Sequence, residues 1–130
     1  MRKVAVSGYF NPLHVGHLEM INKASRLGDY LIVIVNNDKQ IKLKGSKVFM
    51  NQVDRKKIME SIKGVDEVYV SHSEDKSICI DLEMIKPDIF ANGGDRHQGE
   101  VPEAKVCKEF NIKMVDGLGK KIRSSSEILK

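Results

Sequence analysis

The sequence predicts an α/β protein: a Rossmann-like, doubly wound five-stranded parallel sheet with helices on both faces. Three observations point there. Tyr30-Leu-Ile-Val-Ile-Val35 is a continuous apolar, β-branched run, the composition of a central strand covered on both sides. Strand-like runs alternate with segments of helical period along the chain, in the order βαβαβαβαβα, and right-handed crossovers turn that order into a doubly wound sheet. The segments that follow the strands are mostly glycine-rich, polar or basic, whereas Gly28-Asp29 and Gly64-Val65-Asp66, which precede strands, read as plain connectors.

Taken in order, Arg2 to Ser7 contains the alternating apolar run of a first strand, and Gly16 to Leu27 is a helix with Leu18, Ile21, Ala24 and Leu27 on one face and Gly28 as its stop. Tyr30 to Val35 is the second strand, ended by Asn36-Asn37-Asp38 and followed by a basic loop. Asn51 and Asp54 offer an N-cap and a first-turn acid for a helix to about Lys63, apolar at Ile58, Met59 and Ile62. Glu67 to Ser71 is the third strand, and Ser77 to Ile85 a helix stopped by Pro87. Asp88 to Ala91 is the fourth strand, Pro102 opens a helix to about Phe110, and Ile112 to Val115 is the fifth strand. Ser124-Ser-Ser-Glu127 has the S-x-x-E form of a capping box and starts a last helix. No linker or repeat interrupts residues 1–130, which are expected to form one domain.

Ligands of open α/β sheets bind beyond the carboxyl ends of the strands, at the point where the strand order reverses. The first strand delivers Gly8-Tyr9-Phe10-Asn11-Pro12-Leu13-His14-Val15-Gly16-His17 to that edge. Gly8 permits close backbone approach and Pro12 stiffens the loop. Gly16 is expected to let something bulky pass between the imidazoles of His14 and His17. Both histidines fall at a helix start, where unpaired N–H groups and the positive dipole end favour phosphate. Neither His72 nor His97 has the spacing to complete a zinc site with them. A pair of imidazoles there suits hydrogen-bond donation to a phosphate as negative charge builds on it.

Charge is unevenly spread. The net charge is +4, yet residues 39–57 carry +6, Lys120, Lys121 and Arg123 add +3, and the rest of the chain is −5. The two cationic segments are expected to meet around one anionic ligand. Cys79 and Cys107 lie apart, in helix-like segments without a metal-ligand spacing, and read as reduced packing residues. No apolar run approaches the roughly 20 residues of a membrane span, and the first residues lack the sections of a secretory signal. A cytoplasmic protein without membrane contact is expected.

His14-Val15-Gly16-His17, placed after Gly8-Tyr9-Phe10-Asn11, resembles the H-x-G-H signature of the cytidylyltransferase-like superfamily of nucleotidyltransferases, and the likeness runs nearly end to end. Leu43-Lys44-Gly45 resembles its lysine loop, Asp54-Arg55 the place of its helix-borne arginine, Asn92-Gly93-Gly94-Asp95 its glycine-acid turn, and Ile122 to Ile128 its serine/threonine-rich last helix start. The chain looks closest to small members: glycerol-3-phosphate and ethanolamine-phosphate cytidylyltransferases, and sugar-phosphate adenylyltransferases of the heptose type.

The resemblance implies transfer of CMP or AMP from CTP or ATP to a phosphorylated small molecule, with release of pyrophosphate. It implies Mg²⁺ carried by the triphosphate, no resident metal and no covalent intermediate, and a homodimer. His14, His17, Lys44 and Arg55 would be the catalytic, phosphate-binding groups, with Lys42 near the acceptor. Gly8, Tyr9, Phe10, Asn11 and Gly16 would line the nucleotide. Asn92, Gly93 and Asp95 would meet the base and ribose, and Arg123, Ser124, Ser125 and Ser126 the β and γ phosphates. Asn37, Asp38 and Arg96 fall to the acceptor, and Tyr9 and His72 lie among loops that could reach it.

The chain departs from the family at two places. Asn11 stands where many cytidylyl members carry an acid, and Gly117 to Ser126 lacks the R-T-E-G-I-S-T-T form of the glycerol-3-phosphate enzymes. Two other readings stay open. One is a nucleotide sensor without turnover. The other, a nucleic-acid binder, fits the basic segment but not its lack of interleaved aromatic residues, which base stacking needs.

Overall fold

The computed structural model of the chain describes residues 1–93 and 102–118. Five strands, β1 (Lys3–Gly8), β2 (Tyr30–Val35), β3 (Glu67–Val70), β4 (Ile89–Gly93) and β5 (Lys113–Leu118), form one sheet in the order β3-β2-β1-β4-β5. Every neighbouring pair is parallel. The helices are α1 (Val15–Ser25), α2 (Asp38–Leu43), α3 (Gln52–Glu60), α4 (Cys79–Ile85) and α5 (Glu103–Glu109).

The chain runs outward from β1 through β2 to β3, then returns to the other side of β1 for β4 and β5. Crossovers of one hand therefore place the first helices on one face and the last on the other. The two cores follow. Met20, Ile21 and Ala24 of α1 and Met59 of α3 pack on Val4, Val6, Leu31, Val33, Val35 and Val68. Ile78, the N-cap of α4, Leu82 of α4 and Cys107 of α5 pack on Ala5, Ile32, Ile34 and Phe90. Alternate residues of β1 and β2 serve opposite layers, so both strands are buried on both faces, as the apolar run predicted. The order reverses between β1 and β4, and the candidate site lies beyond the carboxyl end of β1.

Three expectations about the elements are corrected. The segment after β2 opens with the helix α2, not a basic loop. Leu18 is 43% exposed: α1 begins at Val15, and its inward stripe is His17, Met20, Ile21 and Ala24, at i, i+3, i+4 and i+7. Ile58 is 40% exposed for the same kind of reason, because α3 turns Arg55 and Met59 inward. The last helix expected from Ser124 lies outside the described residues.

Candidate active site at the start of α1

β1 delivers the chain to Gly8, and the next two residues turn it back over the sheet. Phe10 adopts a positive φ of 49° and is buried, its ring resting over Gly8. A Cβ at Gly8 would come within 2.8 Å of that ring, so glycine is required here for close packing beneath the motif. The Phe10 ring in turn meets His17 edge-on, with centroids 4.9 Å apart and planes at 78°. Phe10, expected to line a nucleotide, is instead the buried support of an imidazole.

His14 is the N-cap of α1, with φ −143° and ψ 175°. Its Nδ1 accepts the backbone N–H of Gly16 at 3.1 Å, and His17 Nδ1 accepts the backbone N–H of His14 at 3.1 Å. A ring nitrogen that accepts carries no proton, so the proton of each neutral ring sits on Nε2. The rings stack at 3.7 Å with planes 25° apart. Nothing passes between them, which corrects the expectation for Gly16; its part is to donate its N–H to His14. Burial above all, then the His14 ring and the Lys44 ammonium, push the His17 pKa down to about 4. His17 is thus neutral at pH 7 and carries its donor hydrogen on Nε2.

Lys44 is the C-cap of α2, and its Nζ lies 4.1 Å from the centroid of the Tyr9 ring. Partial burial lowers its pKa. The structure therefore brings His14, His17, Lys44 and Tyr9 together, a cation beside a stacked pair of imidazoles. Lys42, on the same helix, is exposed.

Arg55 behaves differently. Its side chain has no exposed surface. Nε donates to Met50 O at 2.9 Å, Nη1 to Tyr9 O at 2.8 Å and to Asn36 O, and Nη2 to Asp38 Oδ1 at 2.7 Å. The guanidinium ties the chain beyond β1, the chain beyond β2 and the entrance to α3 into one knot. This corrects its expected phosphate-binding role: three carbonyls and a carboxylate already occupy the group. Asp38, expected at the acceptor, is the knot's counter-ion.

Asn37, also expected there, caps α2. Its Oδ1 accepts from Gln40 N at 2.8 Å, and its Nδ2 donates to Ser71 O and Ser73 O, each at 3.0 Å. Asn11 is likewise committed, donating to Lys47 O at 2.7 Å and accepting from Phe49 N at 2.8 Å and Met50 N at 3.1 Å. An acid could accept from those two amides but could not donate to Lys47 O, so the amide is matched to its place.

Asn92 and Gly93 end β4, and Gly93 pairs with Leu118 after a register shift. Gly94, Asp95, Arg96, Arg123, Ser124, Ser125 and Ser126 lie outside the described residues. Residues that the sequence reading passed over hold the chain beyond β3. Gln40 is buried; its Nε2 donates to Asp75 O at 2.9 Å and Ser77 O at 3.0 Å, and its Oε1 accepts from Asn37 N at 2.8 Å. Buried Asp81 accepts from Ser71 Oγ and from His72 N. The Asn37-x-x-Gln40 spacing was a readable cap signal for the first of these. His72 is exposed and meets Tyr69 edge-on at 5.3 Å. Among the described residues no group of three His, Cys, Asp or Glu side chains is arranged to hold a metal, and no helix is long and apolar enough to cross a membrane.

The cytidylyltransferase-like family model matches residues 5–129. The chain is 32% identical over 133 aligned positions to the FAD synthase of Picrophilus torridus, a match covering 97% of the chain and 92% of that protein. It is 39% identical over 113 positions to the bifunctional protein HldE of Nitratiruptor sp., covering 85% of the chain but only 24% of that longer protein. Among solved structures it resembles the lipopolysaccharide core biosynthesis protein of Thermoplasma volcanium, with a TM-score of 0.76 and 26% identity over 89% of the chain and 95% of that one.

Proposed function

The chain belongs to the cytidylyltransferase-like family of nucleotidyltransferases, and on that premise we propose that it transfers AMP from ATP to the phosphate of a phosphorylated small molecule. ATP is preferred to CTP because the product named by the FAD synthase relative contains AMP. FMN is the first acceptor to try, and a sugar phosphate the second, since the chain also matches a segment of the HldE protein.

An acceptor phosphate oxygen attacks the α-phosphorus of ATP; the new P–O bond forms as the bond to the β-phosphate oxygen breaks and pyrophosphate leaves. A phosphate oxygen is already a competent nucleophile, so the protein needs no general base. Its task is to hold two mutually repelling anions in line and to neutralise charge on the α-phosphoryl oxygens. The stacked imidazole pair at the start of α1, with His17 held neutral, is the observation that carries this reading. Its Nε2 hydrogens suit the α-phosphoryl oxygens, and Lys44 suits the triphosphate beside them. Arg123 and Ser124 to Ser126 are assigned the β and γ phosphates, Asn92, Gly93 and Asp95 the adenosine, and Lys42 and Arg96 the acceptor. Mg²⁺ enters as part of the MgATP substrate.

The test is pyrophosphate release by the purified protein with Mg²⁺, ATP or CTP, and FMN or a panel of sugar phosphates. Release that needs ATP and one acceptor supports the reading. Tight ATP binding without release under any acceptor overturns it in favour of a nucleotide sensor.

A further inference from the structure

We propose that Tyr9 is a positioning residue for Lys44, its ring holding the ammonium beside the imidazole pair without neutralising it. The inference rests on the transferase reading, which supplies the task for the charge so held, but its geometry stands on the described residues alone.

Lys44 closes α2, and Gly45 follows at a φ of 87°, where an added Cβ would meet nothing within 4 Å. The backbone thus ends its helix in open space, and a four-carbon stem leaves the ammonium many places to be. Lys39 on the same helix is paired with Glu74, and Arg55 nearby with Asp38. Lys44 is in no such pair. Its Nζ lies over the Tyr9 ring instead. That ring belongs to a fixed residue, because Tyr9 O accepts from buried Arg55 and the next residue, Phe10, is locked into the core.

A carboxylate in this place would orient the ammonium but cancel its charge and compete with phosphate. An aromatic face attracts a cation through its quadrupole alone, a weaker hold that an incoming phosphate oxygen can outbid. The full charge meanwhile reaches the site, since Lys44 is among the groups that lower the His17 pKa.

Two readouts test this. In the NMR spectrum of the native protein, the Lys44 ε-methylene protons, assigned by their loss in Lys44→Ala, are expected upfield of other lysines through the ring current of Tyr9. Tyr9→Phe keeps that shift and Tyr9→Leu abolishes it. In turnover with MgATP and the accepted phosphate, Tyr9→Leu lowers kcat about 10-fold and Tyr9→Phe restores it to within about two-fold. In a Lys44→Ala background the further change to Leu costs less than about two-fold, because the ring then has nothing to hold.

An unshifted Lys44 in the native protein overturns the proposal whether or not Tyr9→Leu folds. So does a Phe variant as impaired as Leu, or a full Leu effect without Lys44. If the shifts behave as stated while no acceptor gives pyrophosphate, Tyr9 does hold Lys44, and it is the transferase reading that fails.

Discussion

At the start of α1, His17 Nδ1 accepts the N–H of the residue three places back; at the start of α2, Gln40 Oε1 does the same for Asn37. In both, the N-cap side chain answers by accepting a backbone N–H of the first turn. The two caps share a plan and differ in what the chemistry leaves over. An amide has a second end that must also be satisfied, and Asn37 and Gln40 turn theirs onto the carbonyls of residues 71 to 77, bolting α2 to the chain beyond β3. An imidazole instead leaves a donor hydrogen on Nε2, and His17 holds it on a neutral ring beside a cation. A cap made of amides is a joint; a cap made of imidazoles is a joint that still carries a reagent.

The contrast can be broken most sharply at His17. In His17→Asn the amide Oδ1 takes the place of Nδ1, so the cap survives while the Nε2 hydrogen is lost. Turnover should fall about 10²- to 10³-fold, the loss typical of one transition-state donor, with the melting point nearly unchanged. Equal losses of stability and rate would mean that the ring is only a cap.

Titration separates the caps next, since no group in the amide pair ionises. Because the His17 pKa is lowered on folding from its ordinary 6.5 to about 4, the unfolded chain binds the extra proton first. The stability due to the neutral ring is therefore whole above about pH 6.5 and is lost as pH falls toward 4, on the order of 3 kcal/mol for a fully expressed shift. Denaturant midpoints measured across that window should decline, and His17→Asn should flatten the decline; an identical slope in the variant would contradict the assignment.

Gln40→Ala tests the joint alone. It strands Asn37 N–H and two carbonyls, and about 2 kcal/mol of stability should go with them. The loss should appear in denaturant unfolding, with turnover per folded molecule changing far less than in His17→Asn; the reverse ranking would sink the division of labour drawn here. The smallest effect is expected at Gly45→Ala, where space is open and only the φ of 87° opposes a side chain, at about 1 kcal/mol. A loss well beyond that would show that the segment after α2 is packed more tightly than its open surroundings indicate.

Much of this was legible beforehand, and the misses have a common cause. The sheet could be read because Val4 to Val6 and Tyr30 to Val35 state their burial within a few residues, and two-sided burial leaves a run of apolar side chains no other home. His14 and His17 were legible because their partners are local, within three residues. Arg55 was not. Its partners lie as far as 46 residues away, and a cation in a basic stretch looks like surface until the chain beyond β1 and β2 closes on it. The i, i+4 spacing of Arg55 and Met59 on one stripe was a faint sign of its burial. α2 was passed over although Asn37-x-x-Gln40 spelled its cap, because the lysines that follow suggested a solvated loop.

The sequence by itself determined the alternating elements, the layer each strand residue serves and the presence of two imidazoles at a helix start, since each depends on period and near neighbours. Only the tertiary structure decided that those rings stack and that His17 stays neutral, that Lys44 lies on Tyr9, and that Arg55 and Asn11 face inward. Those outcomes depend on desolvation and on hydrogen-bond partners that are brought within reach only when the carboxyl ends of separate strands are set side by side.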